Sequence, residues 1–196
     1  MPENIGMVAR AMLNFGLPEL RLGNPRCLWP SERATDSSAG AGRVLESARL
    51  YRSLAEAIAD CQSVYAASVR PRDLVKRVVT PRQAVAQLRD FLGEFLDESR
   101  PAVRRAAIVF GPERTGLIND DIALVEAVIT VPVNPEFSSL NLAQAVVVLA
   151  YEWFIAHDAT PASQLRHGNS TPAEHRHLQS FLGRLEHELD LCGFLR

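Results

Sequence analysis

Three short stretches of this chain gather the residue types that catalysis or ligand binding would use. In NPEFSSLNLAQAVVVLAYEW, Asn134 to Trp153, the polar residues Ser138, Ser139 and Asn141 lead into an almost wholly apolar run. The first N–H groups of a helix have no partner inside it, so polar side chains there either cap the helix or hold a ligand. In AAIVFGPERTGL, Ala106 to Leu117, Glu113 sits in a turn bounded by Gly111 and Gly116. Glycines in such a turn permit positive φ or close approach of backbone to a ligand. The turn is not a phosphate loop, because Leu117 and Ile118 stand where that loop needs lysine and a hydroxyl residue. In PENIGMVARAMLNFG, Pro2 to Gly16, Arg10 and Asn14 lie four residues apart on one helical face. Taken singly, each has a plain alternative: Glu113 reads equally as a turn carboxylate, and Arg10 as a solvated charge.

The elements that must position these residues follow from periodicity. Ile5, Val8, Met12 and Phe15 recur at helical spacing and predict a helix over 4–15, with Asn4 as cap and Gly16 as terminator. A strand over 19–22 follows, then a Pro/Gly/Ser-rich connection from Gly23 to Gly42 and a helical stretch to Asp60, where Ser53 and Glu56 form a capping box. Next come a strand over 63–67, a basic loop, and a helix over 81–98 capped by Thr80. A strand over 106–110, a short helix near Asp120 and a strand over 127–132 lead to a helix over 140–157. Val146 to Ala150 leave that helix little room for a solvated face, so it is expected to be buried. Strands alternating with helices imply an α/β fold, a mostly parallel sheet with helices on both faces. The expected organisation is a domain over 1–158, a linker over 159–170, and a terminal amphipathic helix within 171–196. That helix is expected to start at Thr171-Pro172, with Glu174 completing a capping box and Leu178, Phe181, Leu182, Leu185 and Leu189 as its apolar stripe.

Composition narrows the function classes. The chain has 196 residues, 47% hydrophobic and 22% charged, as in a soluble globular protein. No run is long and apolar enough to cross a membrane, and no signal-peptide pattern follows Met1, so a cytoplasmic protein is expected. Cys27, Cys61 and Cys192 are scattered without a CxxC, and His175 and His177 point to different faces of a helix, so no metal site is expected. A net charge of -2 does not announce a nucleic-acid binder. Arg70, Arg72, Lys76, Arg77 and Arg82 nevertheless cluster in VRPRDLVKRVVTPR, either as a solvated loop or as a phosphate-binding surface.

Together, the three stretches resemble the three motifs of the SpoU/TrmH family of RNA 2′-O-ribose methyltransferases, in the SPOUT superfamily. NIGMVARAMLNFG resembles the first motif, with its Asn and Arg; IVFGPERTGL the second, with its Gly and Glu; VPVNPEFSSLNLAQAVVVLAYE the third, with its Ser-Leu-Asn core. The resemblance runs from Glu3 to about His157. ENIGMVARAM and NPEFSSLNLA are closest to the TrmJ-like branch, which methylates a cytidine or uridine ribose in the tRNA anticodon loop. The resemblance implies a trefoil knot at the carboxyl end of the domain, S-adenosylmethionine bound in the knot, and a homodimer through helix 140–157. It implies cofactor contacts from Ala67, Ser68 and Val69, from Gly111, and from Val131, Ser139 and Leu140. It also implies that Arg10 is the catalytic arginine, removing the hydroxyl proton with help from a substrate phosphate or only positioning that phosphate. Asn4, Glu113, Ser139 and Asn141 would complete the site, and the basic stretch would bind RNA. The same resemblance leaves two alternative functions: ribosomal RNA as substrate, or a non-catalytic dimeric RNA-binding module. One departure stands out. Family members carry a strand inside the sheet before the first motif, and this chain has almost nothing before Pro2, which leaves two strands short of partners.

Overall fold

In the computed structural model, residues 1–68, 75–93, 104–161 and 171–195 are described. They form two units, Met1–Asp158 and Ala159–Arg196. The first unit runs α1 (Pro2–Asn14), β1 (Arg21–Gly23), α2 (Glu32–Ser37), α3 (Gly42–Glu46), β2 (Arg49–Tyr51), α4 (Leu54–Ala57), β3 (Ser63–Ala67), β4 (Arg77–Val79), α5 (Pro81–Gly93), β5 (Ala106–Phe110), α6 (Asn119–Ala123), β6 (Ala127–Ile129) and α7 (Leu142–Ile155). The second unit holds α8 (His175–Leu191).

Every described strand pairing is parallel. The strands form two sheets, one in the order β4-β6-β3-β5 and the other β1-β2. Successive strand side chains point to opposite faces, and β3 shows the consequence. Tyr65 packs with Ala84 and Leu88 of α5 and Leu149 of α7. Val64 and Ala66 pack on the other face with Leu117, Ile122 and Val125, backed by Leu54 and Ile58. A strand covered on both faces must be apolar throughout, and SVYAA meets that requirement apart from Ser63, whose hydroxyl donates to Glu126 at 3.0 Å.

α1 packs against α2 and α7. Gly6 permits the close crossing with α2, because a Cβ there would lie 2.1 Å from Ala34 O and from Ser37 Oγ. Gly16, at φ 70°, ends the helix, and Leu17 N donates to Met12 O at 2.9 Å. Asn4 is not the cap. The helix starts at Pro2 behind Met1, without a side-chain cap. Asn4 is buried and used elsewhere, as described below.

Two strands are absent from the sequence reading. β2 lies inside the stretch read as helical, and β4 inside the basic loop. Both are three-residue strands, RLY and RVV, whose first two side chains are exposed, too short to show an alternating pattern. α2 likewise sits inside the stretch read as a connection. The strand expected over 127–132 stops at Ile129. Pro132 has no N–H for a ladder, and the chain turns there toward α7. α5 is described to Gly93, and 94–98 lie outside the described residues. The Ser53 cap holds as expected, its Oγ accepting from Glu56 N at 3.2 Å. α8 starts at His175 behind Glu174, four residues later than expected. Glu174 is the N-cap and makes no side-chain cap bond.

Candidate active site

The carboxyl ends of β3, β5 and β6 converge with the amino end of α7, the usual place for a ligand in a parallel sheet. The loop after β3 is fastened to the end of β6 from both sides. Ser68 N donates to Ile129 O at 3.0 Å, and Thr130 Oγ1 donates to Ser68 O at 3.1 Å. Ala67 and Ser68 thus run beside Ile129 and Thr130. Val69 lies outside the described residues. After β5, the chain folds tightly over Gly111. A Cβ at Gly111 would lie 2.4 Å from Leu117 N and 2.5 Å from Gly116 C, so only glycine fits. Gly116 closes the turn at φ 65°, its N–H donating to Pro112 O at 2.7 Å.

This turn presents Glu113, whose two carboxylate oxygens hold two different amides. Asn4 Nδ2 donates to Oε2, and Asn141 Nδ2 donates to Oε1 at 2.8 Å. The partners lie 109 and 28 residues away in sequence, so one carboxylate joins all three stretches singled out by residue type. Asn141 also caps α7, its Oδ1 accepting from Ala143 N at 2.9 Å while Gln144 Oε1 accepts from Asn141 N at 3.1 Å. The cap fixes which way the amide faces, and so leaves its NH₂ for Glu113. Upstream, Asn134 Oδ1 accepts from Glu136 N at 3.0 Å and orders the 3₁₀ turn Pro135–Phe137. Ser139 follows it on an exposed loop, its hydroxyl without a protein partner among the described residues.

Arg10 does not join this cluster. Six residues beyond Asn4, it is turned about 120° around the helix axis. It lies exposed with Met7 and Asn14, and it makes no hydrogen bond or ion pair among the described residues.

Comparison with known proteins shows the family of the chain. The profile of the SpoU rRNA Methylase family matches residues 1–151.

The chain belongs to the SpoU rRNA methylase family.

It is 39% identical over 194 residues to the tRNA (cytidine/uridine-2′-O-)-methyltransferase TrmJ of Pectobacterium atrosepticum, covering 98% of this chain and 76% of that one. It is 36% identical to TrmJ of Escherichia coli O6:K15:H31, covering 98% of this chain and 75% of that protein. Among solved structures, TrmJ from Z. mobilis ZM4 superposes with a TM-score of 0.78 at 45% identity, covering 100% of this chain and 78% of that chain.

In this SpoU methylase, the basic stretch is part strand and part loop. Lys76 Nζ donates to Val125 O at 2.7 Å and to Ala123 O at 3.1 Å, satisfying carbonyls at the end of α6 and just beyond it. Arg77 donates to the Tyr65 hydroxyl at 2.8 Å and lies over its ring. Arg82 pairs with Glu152 of α7 at 3.2 Å, its own side chain still 80% exposed. The reading of these residues as a free basic loop is corrected to this extent: Lys76 and Arg77 are structural donors. Arg70 and Arg72 lie outside the described residues.

α7 is only partly the buried helix its composition suggests. Val146, Leu149 and Ala150 are buried within the unit. Val147, Tyr151 and Phe154 are 40%, 50% and 45% exposed, and Phe15 of α1 lies 6.1 Å from the Tyr151 ring and 6.0 Å from the Phe154 ring. A helix apolar all round has thus buried one face and left a second, partly aromatic face uncovered within its unit. Among the described residues, no helix is long and apolar enough to cross a membrane.

Sequence reasoning missed Thr130 and Gln144. Thr130 carried no signal. Gln144 did, standing three residues after Asn141 at the start of an apolar run.

Proposed function

We propose that this methylase transfers a methyl group from S-adenosylmethionine to the 2′-hydroxyl of a cytidine or uridine ribose in tRNA. The observation that carries the reading is the Glu113 carboxylate held by both Asn4 and Asn141, which unites the three family motifs in one site. The names of the TrmJ relatives support the substrate. The residues present suit the cofactor. The turn over Gly111 has no room for a side chain, and the loop ends at Ala67–Ser68, Gly111 and Val131 offer main-chain groups. We assign Ser139 and Leu140 to the same cofactor site.

The cofactor, when bound, supplies a methyl group on a positively charged sulfur, which is already a strong electrophile. The protein therefore has to hold the ribose oxygen in line and dispose of its proton. Accepting that methyl group would release the hydroxyl proton, which the residues around the ribose would have to receive or pass on. Arg10, exposed and without a protein partner among the described residues, binds the phosphate beside the reacting ribose. A guanidinium is a poor proton acceptor, so that phosphate is the better destination for the proton. Asn4, Glu113 and Asn141 keep the motif loops in register. We assign RNA binding to the stretch 70–82, in which the Arg82 side chain is 80% exposed.

Calorimetry is expected to show S-adenosylmethionine binding that is unchanged by a chelator. Labelled methyl is expected to pass to tRNA and to be recovered as a 2′-O-methylated pyrimidine nucleotide. Transfer to ribosomal RNA alone would favour that substrate, and cofactor binding without any transfer would favour the non-catalytic module.

The reading includes a trefoil knot, a cytoplasmic location and a homodimer on the outer face of α7. Val147, Tyr151 and Phe154, with Phe15 beside them, supply the apolar surface a dimer would cover. Light scattering is expected to give twice the chain mass at micromolar concentration, and Phe154→Glu is expected to shift it toward monomer. A wild-type chain that scatters as a monomer would remove the dimer.

A further inference from the structure

Phe137 is 78% exposed, against the rule that phenylalanine goes inside. The backbone that carries it is ordered. Asn134 Oδ1 accepts from Glu136 N at 3.0 Å, Phe137 N donates to Asn134 O at 3.0 Å, and Pro135 opens the turn with its φ fixed by the ring. A lone exposed apolar side chain on an open surface needs no partner. The position of this one is different. Phe137 stands two residues before Ser139, assigned above to the cofactor, and four before Asn141, whose amide donates to Glu113 at 2.8 Å. The loops after β3, β5 and β6, spanning 68–76, 111–118 and 130–141, carry no other aromatic residue.

A methyl acceptor has to bring its ribose to this end of the sheet. The base on that ribose then leaves its own stack, and exposed aromatic rings are what unstacked bases of single-stranded RNA settle on. Phenylalanine has no donor or acceptor, so its ring takes the face of a base and leaves the edge unread. Cytosine and uracil share that face and differ at the edge, where an amino group donates in one and a carbonyl accepts in the other. A hydrogen-bonding side chain would separate the two, because the wrong base would leave it unpaired. A site that takes both pyrimidines is better served by a bare ring.

We propose that Phe137 is the platform on which the base of the methylated nucleotide stacks, so that the site accepts cytidine and uridine without reading the base edge. This rests on the tRNA 2′-hydroxyl methylation proposed above. Phe137 is then a substrate-binding residue that touches the base and takes no part in moving the proton or the methyl group.

The test is steady-state methyl transfer by the wild type, Phe137→Ala, Phe137→Leu and Phe137→Trp. Total tRNA first locates the methylated nucleotide, and two transcripts then carry cytidine or uridine at that position. Phe137→Ala is expected to raise the KM for tRNA by about tenfold to a hundredfold, the range for removing one base–aromatic stack, and equally for both transcripts. Its kcat is expected to stay within about threefold. Phe137→Leu, apolar but without a ring, is expected to lose nearly as much, and Phe137→Trp to keep the wild-type KM within about threefold. Cofactor affinity and melting temperature are expected to hold in all three variants, because the side chain is 78% exposed. A wild-type KM in Phe137→Ala, full rescue by Phe137→Leu, a loss confined to one transcript, or a lowered melting temperature would each overturn the platform and leave the methylation reading standing. So would a fall in mass by light scattering in Phe137→Ala, which would place the ring against a second copy. A wild-type chain that passes no methyl to total tRNA would overturn that reading and the platform with it.

Discussion

Replacing Arg10 with alanine is expected to lower single-turnover methyl transfer by about a hundredfold or more, the usual scale for removing a group that handles the proton or its partner. Cofactor affinity is expected to stay within about twofold, because binding is assigned to the loops after β3, β5 and β6 and not to this face of α1. Stability is expected to change by less than about 0.5 kcal/mol, since Arg10 is exposed and has no partner among the described residues. That combination separates catalysis from folding. A variant that keeps more than a tenth of the wild-type rate, a barrier change below about 1.4 kcal/mol, would strip Arg10 of its role. Arg10→Lys tests the phosphate contact, because lysine keeps the charge and loses the planar fork; it is expected to recover part of the affinity for RNA and little of the rate.

Glu113→Ala is expected to be the most damaging change in the cluster. It removes the acceptor from buried Asn4 and from Asn141 together. An amide left buried without a partner costs about 1–3 kcal/mol, so the melting temperature falls as well as the rate. The loops it joins carry all three motifs, and a shift of about 1 Å in such a site costs about a hundredfold. Glu113→Gln is expected to fall between the two. One amide oxygen can still serve Asn141, whose orientation is fixed by its bond from Ala143 N, but Asn4 must turn to meet the new NH₂ group. Thermal melting, cofactor titration and single-turnover rate on the same preparations check the order. If Glu113→Ala melts and turns over like wild type, the carboxylate is only a turn residue.

Much of this protein is determined locally. Gly111 and Gly116 announce a tight turn, Asn141 followed by Gln144 announces a helix start, and Val64 to Ala67 announces a strand covered on both faces. These are properties of a few adjacent residues and of their period, so they survive without the rest of the chain. The motif order carries the family for the same reason.

The functional cluster is a different matter. Nothing near Asn4 distinguishes a helix cap from a donor to a carboxylate 109 residues away, and it became the second only when β5 and α1 were brought side by side. The short strands β2 and β4 exist because neighbouring strands offer them hydrogen bonds, not because RLY or RVV alternates. Lys76 and Arg77 read as free charge until carbonyls and a tyrosine hydroxyl from distant segments surrounded them. α7 is apolar on every side by composition, yet which side faces its own core was decided by packing against α1 and α5. In each case the partner is remote in sequence, and a side chain's hydrogen bonds and exposure depend on what the fold places beside it.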